Sequence, residues 1–86
     1  MKALLQTIYD SRKSFGGKAV ITDELQKDTI TLLSYNTEVA HLKGNKITII
    51  DWFSGTTARH INEFLHQNGF NTLTKKEMLG GITLTK

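Results

Sequence analysis

Four side chains in the stretch TTARHINEFLHQNGF, residues 56 to 70, can handle protons, metals or phosphates: Arg59, His60, Glu63 and His66. On a helix, His60 and Glu63 stand at i,i+3 and Arg59 and Glu63 at i,i+4, so these pairs can touch. That contact serves general acid–base work, and it serves equally as a surface ion pair of small energetic value. Metal ligation is less well supported. His60 and His66 are six apart and project about 120° from one another on a helix, whereas a helical pair on one ion sits at i,i+4. His41 lies on an expected strand and meets a helix histidine only if that strand docks favourably, with Glu63 or Asp51 as a further ligand. No Ser-His-Asp pattern, nucleophile elbow or Gly-rich phosphate loop is present, and Gly16-Gly17 and Gly80-Gly81 read as helix ends. The expectation is no catalytic residue, no metal and no cofactor.

Two binding readings remain. Arg59, His60 and Gln67 could address a nucleic-acid groove, with Thr56, Thr57 and the helix N-terminus holding a phosphate. Glu63 in the middle of that face opposes it. The net charge is +3, but the eleven basic residues are scattered and only Arg12 and Arg59 are arginine. A dense basic stripe with interleaved aromatics is absent. A protein partner is better served by Asp51-Trp52-Phe53-Ser54-Gly55, which sets two large aromatics beside a loop, since tryptophan and arginine are enriched at interface hot spots. The alternative for Trp52 and Phe53 is to cover the sheet end beneath the helix.

The elements that must position these residues follow from periodicity. Leu4, Leu5, Ile8, Tyr9 and Phe15 recur at helical spacing opposite Gln6, Asp10 and Lys13, which predicts an N-terminal helix over 3–15 ended by Gly16-Gly17. Arg12 falls within the apolar arc, its stem packed and its guanidinium outward. Strands are predicted at 18–22, 29–35, 38–42 and 46–50, with a turn or bend at Asn36-Thr37. Gly44-Asn45 suits a type II′ hairpin, which sets Leu42 opposite Ile47, Ala40 opposite Ile49 and Val39 opposite Ile50. Both faces of that hairpin then carry apolar residues, so a helix is expected on each side.

In the second helix Ala58, Ile61, Phe64 and Leu65 form the packed arc, leaving Arg59, His60, Glu63, His66 and Gln67 around the wet one. Ser54 or Thr56 is its N-cap, Gly69 its C′ residue, and Phe70 packs back on Leu65. Thr74 and Glu77 have capping-box spacing and Leu73 and Met78 staple spacing, which predicts a short helix from Lys75 to about Leu79. ITLTK closes as an edge strand. The expected architecture is α+β, one small domain over 1–86. It has an antiparallel sheet of about four strands, with the N-terminal helix and a second helix at about 56–68 packed on it.

With 86 residues and no cysteine, the core is thin and has no disulfide to supplement it. No apolar run approaches the roughly 20 residues that span a bilayer, and the N-terminus lacks a signal-peptide stretch. A cytoplasmic location without membrane contact is expected.

GKAVI at 17–21, SYNTEVAHL at 34–42 and SGTTARHINEFLHQNGF at 54–70 resemble a small domain of unknown function found in phage, plasmid and bacterial proteins. Its pattern is S-Y-x-T-x-V-A in a strand, then a Thr-Thr-x-Arg-His-Ile segment opening a helix that ends Phe-Leu…Gly-Phe. The resemblance covers about residues 17–70 and stops short of the closing LTKKEMLGGITLTK. It carries over no catalytic residue. Ser34, Tyr35, Thr37, Thr57, Arg59 and His60 match the motif. What the resemblance implies is a non-catalytic protein of a phage or mobile element that binds and inhibits a host machine, a host protein or ribonucleoprotein effector. Its best-fitting form is an anti-CRISPR protein acting on a type II effector nuclease in the bacterial cytoplasm. The alternative is a small nucleic-acid-binding accessory protein. The expected partner-binding residues are Arg59, His60, Glu63, Trp52, Tyr35 and Thr57.

Overall fold

The computed structural model describes residues 2–8, 10, 14–24, 28–51 and 55–85, with the side chains of Lys2 and Glu24 excepted. Six strands form one antiparallel sheet: β1 (Lys2–Leu4), β2 (Ala19–Glu24), β3 (Thr29–Ser34), β4 (Thr37–Lys43), β5 (Lys46–Ile49) and β6 (Ile82–Thr85). Their spatial order equals their chain order. Helices α1 (Gly55–Gln67) and α2 (Lys75–Met78) lie between β5 and β6 in the chain.

This corrects the expected architecture of four strands and an N-terminal helix. Residues 2–4 are a strand, paired Leu4↔Val20 and Ala3↔Ile21, and residues 5–7 are irregular. The apolar arc read for that helix is split, with Leu5 and Phe15 buried while Leu4 and Ile8 are exposed. Instead of pointing to carbonyls four residues back, the amides of Leu5, Ile8 and Asp10 go to distant acceptors, the first being Leu5 N–H to Ala19 O at 2.9 Å. Tyr9, Arg12 and Lys13 lie outside the described residues.

Two hairpins fix the sheet's centre. Gly44 is left-handed at φ 60° and Asn45 is not, the geometry of a type II′ turn, and Leu42↔Ile47 and Ala40↔Ile49 pair as that turn requires. Ile50 N–H donates to Val39 O. The β3–β4 turn falls one residue earlier than expected. Tyr35 and Asn36 are its central residues, both left-handed at φ 52° and 67°, between the paired Ser34 and Thr37. Two consecutive left-handed residues make a type I′ turn, whose twist matches that of the strands.

Opposite β3, the register of β4 shifts between Leu32↔Ala40 and Leu33↔Glu38, so Val39 is an extra residue. This bulge lets Val39 and Ala40, adjacent in the chain, both be buried, which a straight strand with alternating sides forbids. It also puts Glu38 and His41, three apart, within 3.3 Å on one face.

The core lies between the sheet and α1. Leu32, Ala40, Ile47 and Ile49 meet Ile61, Phe64 and Leu65 there, with Val39 and Met78 alongside. Helix α1 ends as its sequence dictates. Gly69 is left-handed, its N–H donates to His66 O and Phe70 N–H donates to Leu65 O, the two bonds of a Schellman motif. Asn62 then holds the next loop, its amide donating to Leu73 O at 2.9 Å and accepting Leu73 N–H at 2.7 Å. Thr74 and Glu77 complete a reciprocal capping box at α2. Among the described residues, no helix is long and apolar enough to cross a membrane.

Candidate functional site

The side of α1 read as wet is covered in part. His60, Glu63 and Thr57 are buried; Arg59, His66 and Gln67 are exposed. The sheet covers one flank of the helix, and Gln6, Ile8, Asp10 and Phe15 reach the other. Glu63 Oε1 accepts the backbone N–H groups of Ile8 at 3.0 Å and Asp10 at 2.8 Å. Its Oε2 accepts Gln67 Nε2 at 2.7 Å, and the same amide donates to Gln6 O. Arg59 pairs with Asp10 at 3.2 Å, Asp10 being the more enclosed partner. Glu63, Gln67 and Arg59 therefore act as a clasp that holds a strap of chain, at Ile8 and Asp10, against the helix.

A second polar cluster lies where the β3–β4 turn meets the first turns of α1. Ser34 Oγ is 2.8 Å from His60 Nδ1 and 3.0 Å from Thr57 Oγ1. The His60 ring stands edge-on to Phe15, with centroids 4.5 Å apart, and 5.9 Å from Tyr35. The SY pair of one motif and the TxxH of the other are thus in direct contact. A serine hydrogen-bonded to a histidine has the elements of an activated nucleophile. Here Ser34 is 2% exposed and His60 0%, so the hydroxyl meets the Nδ1 edge of the imidazole inside the core.

Of the six residues expected to bind a partner, His60, Glu63 and Thr57 are internal, and Arg59 is engaged with Asp10 at the helix flank. Tyr35 is half exposed at the tip of its turn. Trp52 lies outside the described residues, as do Phe53 and the candidate cap Ser54. His41 is on the sheet face opposite the helix, paired in register with Thr48 and Thr31, so it does not meet His60 or His66. Among the described residues, no group of three or more His, Asp or Glu could hold a metal ion.

The missed surface is the far side of the sheet, on which no described element packs. The strand registers arrange it in three rows running across the strands. One row is Leu4, Val20, Leu33 and Glu38, with the exposed Ile50 at the end of β5. The next runs through the positions of Lys2, Thr22, Thr31, His41, Thr48 and Thr83, in which Thr48 and Thr83 hydroxyls are 3.3 Å apart. The third runs through the positions of Glu24, Thr29, Lys43, Lys46 and Thr85, the two lysines adjacent and Glu24 two strands from Lys43. The alternation of apolar and threonine residues in the strands carried this signal. It was obscured by the expectation that a second helix covered that side.

A family model described as a family of unknown function (DUF8033) matches residues 3–80. The chain belongs to the DUF8033 family. That match takes in the strap, both polar clusters, the sheet through β5 and both helices. No curated protein matches the chain. No solved structure matches it either.

Proposed function

We propose that this DUF8033 protein is a non-catalytic binding protein whose recognition surface is the far side of the sheet, not the polar side of α1. The observation that carries this reading is the division of labour between the two faces. The groups that could do chemistry, Ser34, His60 and Glu63, are buried and bonded to the fold, while three rows of side chains, mostly half-buried or exposed with Thr31 buried at their centre, line the opposite side. A nucleophile with no room for a substrate supports recognition over turnover. Inhibition of a host machine, and in its narrowest form of a type II effector nuclease, is the biological role we attach to this surface.

The test pairs two variants. Leu33→Asp places a charge in the outer apolar row, and Arg59→Ala removes the helix-side cation. A partner retained by the wild-type protein is lost with Leu33→Asp and kept with Arg59→Ala. The opposite pattern returns the site to the helix side, and turnover of a substrate by the purified protein ends the binding reading. For the narrow form, adding the protein to a purified type II nuclease–guide complex reduces DNA cleavage in proportion to the amount added, up to equimolar.

One observation favours a second reading, nucleic-acid binding: Lys43 and Lys46 are exposed and directly opposite one another. In that case affinity for a duplex or single strand falls steeply with salt.

A further inference from the structure

The reading above names a surface; its chemistry narrows the occupant. Lys43 and Lys46 face each other across the hairpin on the outer side. Like charges directly opposite in a sheet repel, and an anion seated between them relieves that. The lysine row is four residues along β3 from the aliphatic row, Thr29 against Leu33, which is roughly 13 Å. An α-helix with its side chains is about 10–12 Å across. From Leu4 on β1 to Ile50 at the end of β5 are four strand spacings, about 19 Å, the length of roughly 13 helical residues. Between the outer rows lie threonines and His41, short side chains on which a helix can rest. Glu38, the acid of the aliphatic row, is met by His41 at 3.3 Å.

Resting on the proposed use of this face, we infer that its occupant is an amphipathic helix of a protein partner, laid across the strands. Its aliphatic flank covers Leu4, Val20, Leu33 and Ile50, and its acidic flank lies against Lys43 and Lys46. Charge complementarity selects the acidic flank. The aliphatic row selects protein over nucleic acid, because it offers no aromatic ring on which a base could stack.

The experiment uses the full chain labelled with 15N. The probes are a stapled helical peptide of about 13 residues with leucines on one flank and glutamates on the other, the same peptide with lysines for the glutamates, and a short DNA duplex. Expected with the acidic peptide are amide shifts concentrated on Thr31, His41, Thr48 and their row neighbours. The double variant Lys43→Glu/Lys46→Glu weakens binding about tenfold or more, as does added salt, and Leu33→Asp weakens it independently of salt. Melting curves confirm that each variant is folded. Equal binding of the lysine peptide, or no binding of the acidic one, overturns the helix assignment. DNA shifting the same rows more strongly overturns the partner class but leaves the surface standing. Shifts confined to α1 and the strap overturn both.

Discussion

Glu63 shows how far residue type can mislead about place. A glutamate on a helix next to arginine and histidine reads as solvated, yet this one is fully buried and accepts two backbone N–H groups and a side-chain amide. Removing it takes the acceptor from both backbone donors at once, while the Gln67 amide keeps Gln6 O. Glu63→Ala is expected to cost roughly 2–4 kcal/mol, and Glu63→Gln less, because the amide oxygen still accepts while its NH2 meets donors. Urea unfolding of the two variants measures the difference; equal midpoints for Glu63→Ala and wild type would mean the clasp is idle. Arg59→Ala removes only the partner of Asp10, and about 1 kcal/mol or less is expected. His60 and Thr57 were misplaced for the same reason as Glu63. The arc of α1 facing the sheet was legible from Ala58, Ile61, Phe64 and Leu65. The second cover was not, because it comes from chain about 50 residues away.

At the level of elements, local rules succeeded at most places where the deciding atoms were local, the one-residue miss at the Tyr35-Asn36 turn excepted. The Gly44-Asn45 hairpin, the Schellman end at Gly69 and the Thr74–Glu77 box all depend on residues within six positions. Glu77 illustrates the consequence for pH. The backbone N–H of Thr74, then its hydroxyl, holds this carboxyl below the ordinary value of 4.5. A lowered folded value means the contribution is fully present above pH 4.5 and is lost as the pH falls through the lowered value. Acid titration by NMR is expected to show α2 loosening below pH 4.5 with a change at the residue 74 amide, and Thr74→Ala, which removes the hydroxyl but keeps the backbone N–H, is expected to diminish that change. Gly81 carries a different constraint. It is left-handed at φ 81°, and a Cβ there would lie 2.6 Å from Ile50 O. Gly81→Ala is expected to destabilise by roughly 1–3 kcal/mol and to weaken the β5–β6 pairing, read as faster amide exchange in β6. The N-terminal segment failed the same local reading. Its apolar spacing fits a helix, but β2 and Glu63 offer its amides better-placed acceptors.

Across the whole molecule, stability is expected to be graded by distance along the chain. The hairpins from β2 to β5 join neighbours in sequence, and the strap closes a loop of more than fifty residues through Glu63. Long closures form late and open first. In native-state hydrogen exchange the amides of Ile8 and Asp10 are expected to open at lower free energy than those of Leu32 and Ala40. Glu63→Ala should release the former without touching the latter; joint loss would mean the strap and sheet unfold as one.

The bulge at Val39 leaves a mark on how this sequence can change length. It is a surplus position: Glu38 and Ala40 already pair with Leu33 and Leu32 on its two sides. Excising Val39 would leave β4 with ordinary alternation and every side chain beyond it still facing its own layer. Excising Ala40 would do the same, with Val39 taking the place opposite Leu32, whereas excising Leu42 would turn Lys43 toward the core side. Among single-codon losses in this strand, those at the bulge, Val39 or Ala40, are therefore the ones that keep every other side chain in its layer.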